Sequence, residues 1–167
     1  MRLIGICGKA RHGKDTVAQM LSLEAPTTIE AFAVGVKSVA KKLGWNGEKD
    51  NNGRVLLQYI GLRERADDPE HWIRMLFGRI EGLSGIVAIT DVRFRNEAEA
   101  ILARGGELWR VVRPGFDNGL TPEQKAHPSE TDLDNYFIKR EIVNDGTMEE
   151  LHAKVMAAYK DGKNETS

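Results

Sequence analysis

Gly8, Gly13 and Lys14 stand in the stretch GKARHGKDT, residues 8–16, and match three positions of the phosphate-loop pattern G-x-x-x-x-G-K-[S/T]. Where that pattern has a hydroxyl, the chain has Asp15. The stretch follows the apolar run RLIGIC (2–7), and residues 14–24 then place Val17, Met20 and Leu21 at helical spacing. A glycine-rich turn between a buried strand and a helix lets backbone N–H groups face phosphate oxygens, and the positive end of the helix dipole adds to that field. Lys14 would reach the β- and γ-phosphates as a point charge. A carboxylate in Asp15's place can simply cap a helix. Beside a phosphate chain carrying Mg²⁺ it becomes a metal ligand, directly or through water. Thr16 cannot simply take over, because one residue is about 100° of rotation around the helix.

Two more clusters have chemistry in them. TDVRFRNE (90–97) ends the most apolar run of the chain, GIVAITDV (85–92). There Asp91 is placed to hold a Mg²⁺ water shell, with Arg93 and Arg95 on the following loop facing the same edge. LLQYIGLRERADDPEHW (56–72), with Arg54 just before it, carries Gln58, Arg63, Arg65 and Trp72. These offer guanidinium forks for phosphate, with Arg65 the leading candidate, an amide that could read a base, and an aromatic platform. The bland alternative is an amphipathic helix with a core tryptophan. VVRPG (111–115) sets Arg113 at another strand end. His127 and Ser129 in AHPSET do not make a hydrolase, since Pro128 separates them and no oxyanion element accompanies them. His12, His71 and His152 lack metal-ligand spacing, and one cysteine excludes a zinc cluster.

These residues need a frame that gathers strand ends. The patterning predicts strands at 2–7, 27–32, 85–92, 107–112 and 140–145. Helices are expected at 14–24, about 34–44, 54–62, 70–81 and 96–104, with a last one capped by Thr147 and Glu150. The break at ADDP suggests Asp68 as a cap with Pro69 at the first helical position. GEKDNNG (47–53) reads as a polar loop, 114–134 as a long loop or mobile flap, and the tail 160–167 as frayed. Alternating strand and helix predicts one α/β domain: a mainly parallel five-stranded sheet with helices on both faces and its ligand site at the carboxyl ends of the strands.

At 167 residues, 41% hydrophobic and 29% charged, the composition is that of an ordinary soluble globular protein. A net charge of −1 argues against polymeric nucleic acid as a partner. No apolar run approaches the length of a membrane span, and LIGIC is too short for a signal-peptide core, so no membrane is expected as partner either. The lone Cys7 reads as a buried thiol suited to a reducing cytoplasm.

Taken together, GKARHGKDT, LLQYIG with Arg65, DVRFRNEAEA, VVRPG, HPSET and IVNDGTMEEL resemble, in order and over nearly the whole chain, the bacteriophage-type deoxynucleoside monophosphate kinases. The resemblance implies a P-loop kinase fold that moves the γ-phosphoryl of ATP onto a deoxynucleoside monophosphate in the host cytoplasm, as a monomer or homodimer. It implies that Gly8 through Thr16, Arg11 included, cradle ATP, and that Asp15, Thr16 and Asp91 attend Mg²⁺. Lys14, Asp15, Arg93 and Arg113 are then the catalytic set. Gln58, Arg65, Trp72, Asp91 and Arg93 face the acceptor, and Asn144, Asp145 and Gly146 form the adenine-side turn. Residues 46–82 become the acceptor-binding helical region and 114–134 the lid. Two departures are GLRER, where the family more often has Gly-Thr-Glu before its arginine, and a compact stretch between 45 and 54. Phosphomevalonate kinases carry similar G-K-D and Asp-x-Arg elements, so a small-molecule phosphate kinase of the same fold is the alternative. A GTP-dependent switch is less favoured: DNNG (50–53) does not follow a strand and no N-K-x-D motif is present.

Overall fold

A computed structural model describes residues 1–48 and 50–165. Five strands are described: β1 (Arg2–Cys7), β2 (Thr27–Glu30), β3 (Ile86–Val92), β4 (Glu107–Val112) and β5 (Arg140–Val143). They form one sheet in the order β2-β3-β1-β4-β5. The pairings β1 with β3, β1 with β4 and β4 with β5 are all parallel. β1 and β3 can sit inside such a sheet because they are apolar on both faces, and Leu3, Ile4, Ile6, Val87, Ala88 and Ile89 are all buried.

The helices are α1 (Lys14–Glu24), α2 (Ala33–Lys42), α3 (Asn51–Asp67), α4 (His71–Ile80), α5 (Arg95–Leu102), α6 (Pro122–Ala126), α7 (Pro128–Thr131) and α8 (Met148–Glu165). Val17, Met20 and Leu21 of α1 and Leu151 and Val155 of α8 share a core with Ile4, Ile6, Trp109 and Val111 of the sheet. Gly5 of β1 lets α5 close in, since a Cβ there would lie 2.7 Å from Ile101 Cδ1. The α/β class with a parallel five-stranded sheet is therefore as expected.

The chain divides into two compact units, Met1–Ile29 with Ser84–Ser167, and Glu30–Leu83. The first holds the sheet, apart from Glu30 at the end of β2, with α1, α5 and α8. The second packs α2, α3 and α4 around Phe32, Ala40, Ile60, Trp72, Ile73 and Leu76.

Some local expectations are corrected. Residues 54–62 are part of a longer helix, because the Asp50 carboxylate accepts from the Gly53 N–H at 2.7 Å and starts α3 early. DNNG is thus a helix cap, and Lys49 beside it lies outside the described residues. Asp68 ends α3 rather than starting α4, its side chain accepting from the Glu70 N–H at 3.2 Å. Pro69 precedes α4 by two positions. The 114–134 segment is not featureless, since it contains α6 and α7. α8 continues to Glu165, past the end expected for this helix near 159; residues 166 and 167 lie outside the described residues. The Thr147–Glu150 capping box forms as expected, each backbone N–H donating to the other's side chain.

Candidate functional site

β1 is central, with β3 and β4 on either side of it, so the loop after β1 opens where the strand order reverses. That is the usual ligand position in an open parallel sheet. Gly8 and Gly13 shape the loop with φ of 139° and 103°. A Cβ at Gly8 would stand 2.2 Å from the Val111 carbonyl oxygen, so no other residue fits there. Gly13 caps α1 without a side-chain hydrogen bond, and Asp15 stands exposed in the first turn. Asp15 is therefore not the cap of this helix.

Lys14 is the buried cation of the site, 8% exposed. Its ammonium donates to the carbonyls of Gly8 at 2.9 Å and Lys9 at 2.8 Å, folding back onto its own loop. Burial, and then the nearby Arg93 guanidinium, lower its pKa to about 8. Arg93 leaves the end of β3, with its backbone fixed from behind by Glu97. That fully buried carboxylate accepts from the Arg93 N–H at 2.9 Å and the Phe94 N–H at 3.1 Å. The Arg93 side chain donates to the Ser129 carbonyl at 3.0 Å and to the Glu130 carboxylate. Arg95, by contrast, turns to Asp132, its N–H donating to the carboxylate at 2.8 Å, and braces the segment before β5.

The far side of the loop is held by β4 and β5. His12 Nδ1 accepts from the Arg113 N–H at 3.1 Å, and burial keeps this imidazole below its usual pKa. The Arg113 guanidinium lies 4.0 Å from the Phe116 ring centroid. Arg11, at φ 62°, donates to the Asn118 carbonyl at 2.9 Å. Between this loop and residues 115–118 is a cavity of about 460 Å³, lined by Lys9, His12, Phe116, Asn118 and Lys125, large enough for a nucleoside. Asn144 donates from its amide to the His12 carbonyl at 3.0 Å. Asp145 pairs with Lys154, and Gly146 leaves room for the Glu150 carboxylate that caps α8. Of this turn, only Asn144 is shown reaching the phosphate loop.

Within the helical unit, Arg54, Gln58, Gly61 and Arg65 fall at spacings of four, three and four, and so share one stripe of α3. Gln58 is exposed and Arg65 half-buried. Trp72 does not join them. It is 1% exposed, packs against Gly35 and donates its indole N–H to the Gly61 carbonyl at 3.1 Å, so it serves as core rather than as an aromatic platform.

The structure thus brings Gly8, Arg11, Gly13, Lys14, Asp15, Thr16, Asp91, Arg93, Arg113 and Asn144 to one edge of one unit. Among the described residues no group of three or more His, Cys, Asp or Glu could by itself hold a metal. Asp15 in the first turn of α1, Thr16 beside it and Asp91 near the end of β3 are oxygen donors of the type that Mg²⁺ takes. Cys7 is buried, as expected, and burial pushes its thiol pKa up. His127 Nδ1 lies 2.8 Å from Ser129 Oγ and also accepts from the Ser129 N–H, an arrangement that starts α7. Sequence reading missed Glu97 and Glu130 as site residues. An acidic residue three positions after Phe94 could have suggested the first, but nothing local marks the second. No helix among the described residues is long and apolar enough to cross a membrane.

No family model matches the chain. A protein of Acanthamoeba polyphaga mimivirus, named "Putative deoxynucleotide monophosphate kinase", is 30% identical over 193 residues, covering 94% of this chain and 95% of the relative. Two uncharacterised proteins of Ictalurid herpesvirus 1 (strain Auburn) are also similar. ORF76 is 27% identical, with 95% of this chain and 67% of the relative covered. ORF77 is 31% identical, with 91% and 68% covered. Among solved structures, TT1252 from Thermus thermophilus superposes with a TM-score of 0.58 at 16% identity, over 96% of this chain and 97% of that one. A sugar kinase from Janibacter sp. HTCC2649 gives 0.55 at 15%, over 96% and 95%. At those identities the two structures speak for the fold alone.

Proposed function

The chain belongs to the family of the mimivirus kinase, and from that premise we propose that it moves the γ-phosphoryl of ATP onto a deoxynucleoside monophosphate, giving the diphosphate and ADP. One observation carries the reading: the glycine-shaped loop after β1 buries Lys14 against its own carbonyls, and the Ala10 N–H of that loop and the Arg93 guanidinium from the end of β3 converge on one carboxylate, that of Glu130. Two cations and a backbone amide gathered at one loop suit a reaction in which donor and acceptor are both phosphates.

An acceptor phosphate is already ionised near neutral pH, so no strong general base is needed. Transfer needs neutralised charge, in-line placement and exclusion of water. Lys14 leaves its two loop carbonyls to meet the β- and γ-phosphates, while the loop N–H groups hold phosphate oxygens. Arg93 spans donor and acceptor phosphates, and Arg113 adds charge from the end of β4. Asp15, Thr16 and Asp91 would hold Mg²⁺, directly or through water, and the ion would there supply positive charge against the phosphates. The cavity beside His12 and Phe116 takes the donor nucleoside, and Asn144, first residue of the turn 144–146 assigned to the adenine side, holds the loop that borders it through the His12 carbonyl. The helical unit offers Gln58 and Arg65, on one stripe of α3, for an acceptor's base and phosphate, and the 114–134 segment acts as a lid.

The test is incubation with ATP, Mg²⁺ and a panel of nucleoside monophosphates, followed for diphosphate product. The expected result is turnover with one or more deoxynucleotides. No turnover with any of them, but turnover with phosphomevalonate, would replace the acceptor assigned here.

A further inference from the structure

The segment between β4 and β5 reaches the phosphate loop through one acidic residue. The Glu130 side chain is only 7% exposed. Its carboxylate accepts from the Ala10 N–H at 3.1 Å and from the Arg93 guanidinium. The Glu130 carbonyl accepts from the Lys9 ammonium, and the Ser129 carbonyl from Arg93. The carboxylate also favours the charged form of Lys14. A carboxylate this buried is tolerated only when charged or backbone donors satisfy it. Its donors are a phosphate-loop amide and the arginine at the end of β3, the same kinds of group that a phosphoryl oxygen would use.

We propose that Glu130 is a built-in stand-in for the terminal phosphoryl group of the donor. It holds the Ala10 N–H and Arg93 whenever that position lacks phosphate, and it must leave before a triphosphate can seat fully. The proposal rests on the reading of this loop as the ATP site. A triphosphate brings more negative charge to the same donors and displaces the carboxylate. A diphosphate ends short of those donors and leaves Glu130 in place. Glu130 therefore sets the balance between donor and product, and its departure moves α7 and couples triphosphate binding to the lid. After transfer the carboxylate returns to Arg93 and closes the vacated position to water.

A rigid clip that only orients Arg93 would behave differently, and affinities separate the two. Dissociation constants for ATP and ADP, each with Mg²⁺, are measured by calorimetry on the wild-type chain and on Glu130→Gln. Removing the competing charge is expected to tighten ATP about five- to tenfold while ADP stays within about twofold. An equal change for both nucleotides, or weaker ATP binding, overturns the proposal. If Glu130→Gln does not fold, Glu130→Asp, whose carboxylate is one methylene further from Ala10, is read by the same ratio. On the wild-type chain, hydrogen exchange over residues 127–134 is expected to change with ATP and not with ADP; identical profiles overturn the proposal. Binding of both nucleotides with an unaltered ratio removes Glu130's role and leaves the kinase reading standing. Binding of neither removes both.

Discussion

The side-chain amide of Asn144 donates to the carbonyl of His12 at 3.0 Å, joining the turn after β5 to the middle of the phosphate loop. The approach is close, for a Cβ on Gly13 would sit 2.8 Å from that amide nitrogen. The Asn144 backbone N–H donates in turn to the Val112 carbonyl at 2.8 Å, so one residue ties the loop to two strand ends.

Asn144→Ala should therefore disturb the loop more than the fold. Loss of one such hydrogen bond is expected to cost about 1 kcal/mol of stability. Misplaced loop amides should lower kcat/KM for ATP by roughly tenfold or more. Thermal melting and steady-state kinetics read the two effects separately, and a large stability loss without a kinetic effect would contradict the placement.

Lys14 gives a pH dependence with a definite sign. Its folded pKa, lowered to about 8, lies below the ordinary value of 10.5, so between these two the unfolded chain holds more protons than the folded one. Lys14 thus makes the ligand-free fold more stable as pH rises through that window, and its cost is fully present below about pH 8. Phosphate ligands need the charged form. Their affinity should fall as pH rises above about 8, and binding near pH 9 should take up a proton, seen by calorimetry in buffers of different ionisation enthalpy. Lys14→Met should remove that proton uptake and nearly all transfer while keeping the fold.

Asp15 is exposed, and the α1 cap makes no side-chain hydrogen bond. Asp15→Ser should consequently leave stability within about 0.5 kcal/mol of the wild type and shift the Mg²⁺ concentration needed for half-maximal activity. An unchanged metal titration would remove Asp15 from the metal's surroundings. Chelation should stop transfer without lowering the melting temperature of the ligand-free chain, since no protein cage is lost.

At the opposite edge of the sheet, Glu107 holds Arg2 at 2.6 Å, Arg140 at 3.0 Å and the buried Trp109 indole N–H at 3.0 Å. Glu107→Ala removes the carboxylate that two guanidiniums and an indole N–H share, and should cost about 2–3 kcal/mol. Because these groups stand at the amino ends of β1, β4 and β5, nucleotide affinity should not change. A kinetic defect larger than the loss of folded protein would show that the two sheet edges are coupled.

Much of this was legible locally. The apolar runs 2–7 and 85–92 announce β1 and β3 because strands covered on both faces need apolar side chains on both. GKARHGKDT announces its turn because Gly8 and Gly13 adopt conformations that other residues resist. The last helix announces its start through Thr147 and Glu150, three positions apart. Asp50 and Asp68 were harder, since an aspartate before a helix and one after it make the same kind of short local bond and differ only in where the chain goes next.

From the sequence alone came the strand–helix alternation, the phosphate loop and the cations at strand ends, all set by interactions within a few residues. Tertiary structure decided that β1 lies between β3 and β4, which brings Arg93 and Asn144 to the same loop from 79 and 130 positions beyond Lys14. It decided that Trp72 is core, through its packing on Gly35 and the Gly61 carbonyl. It also decided that Glu130, one acid among 25 acidic residues, is the one buried against Ala10 and Arg93. Local pattern sets what a residue can do; only the closing of long loops sets which donor it meets.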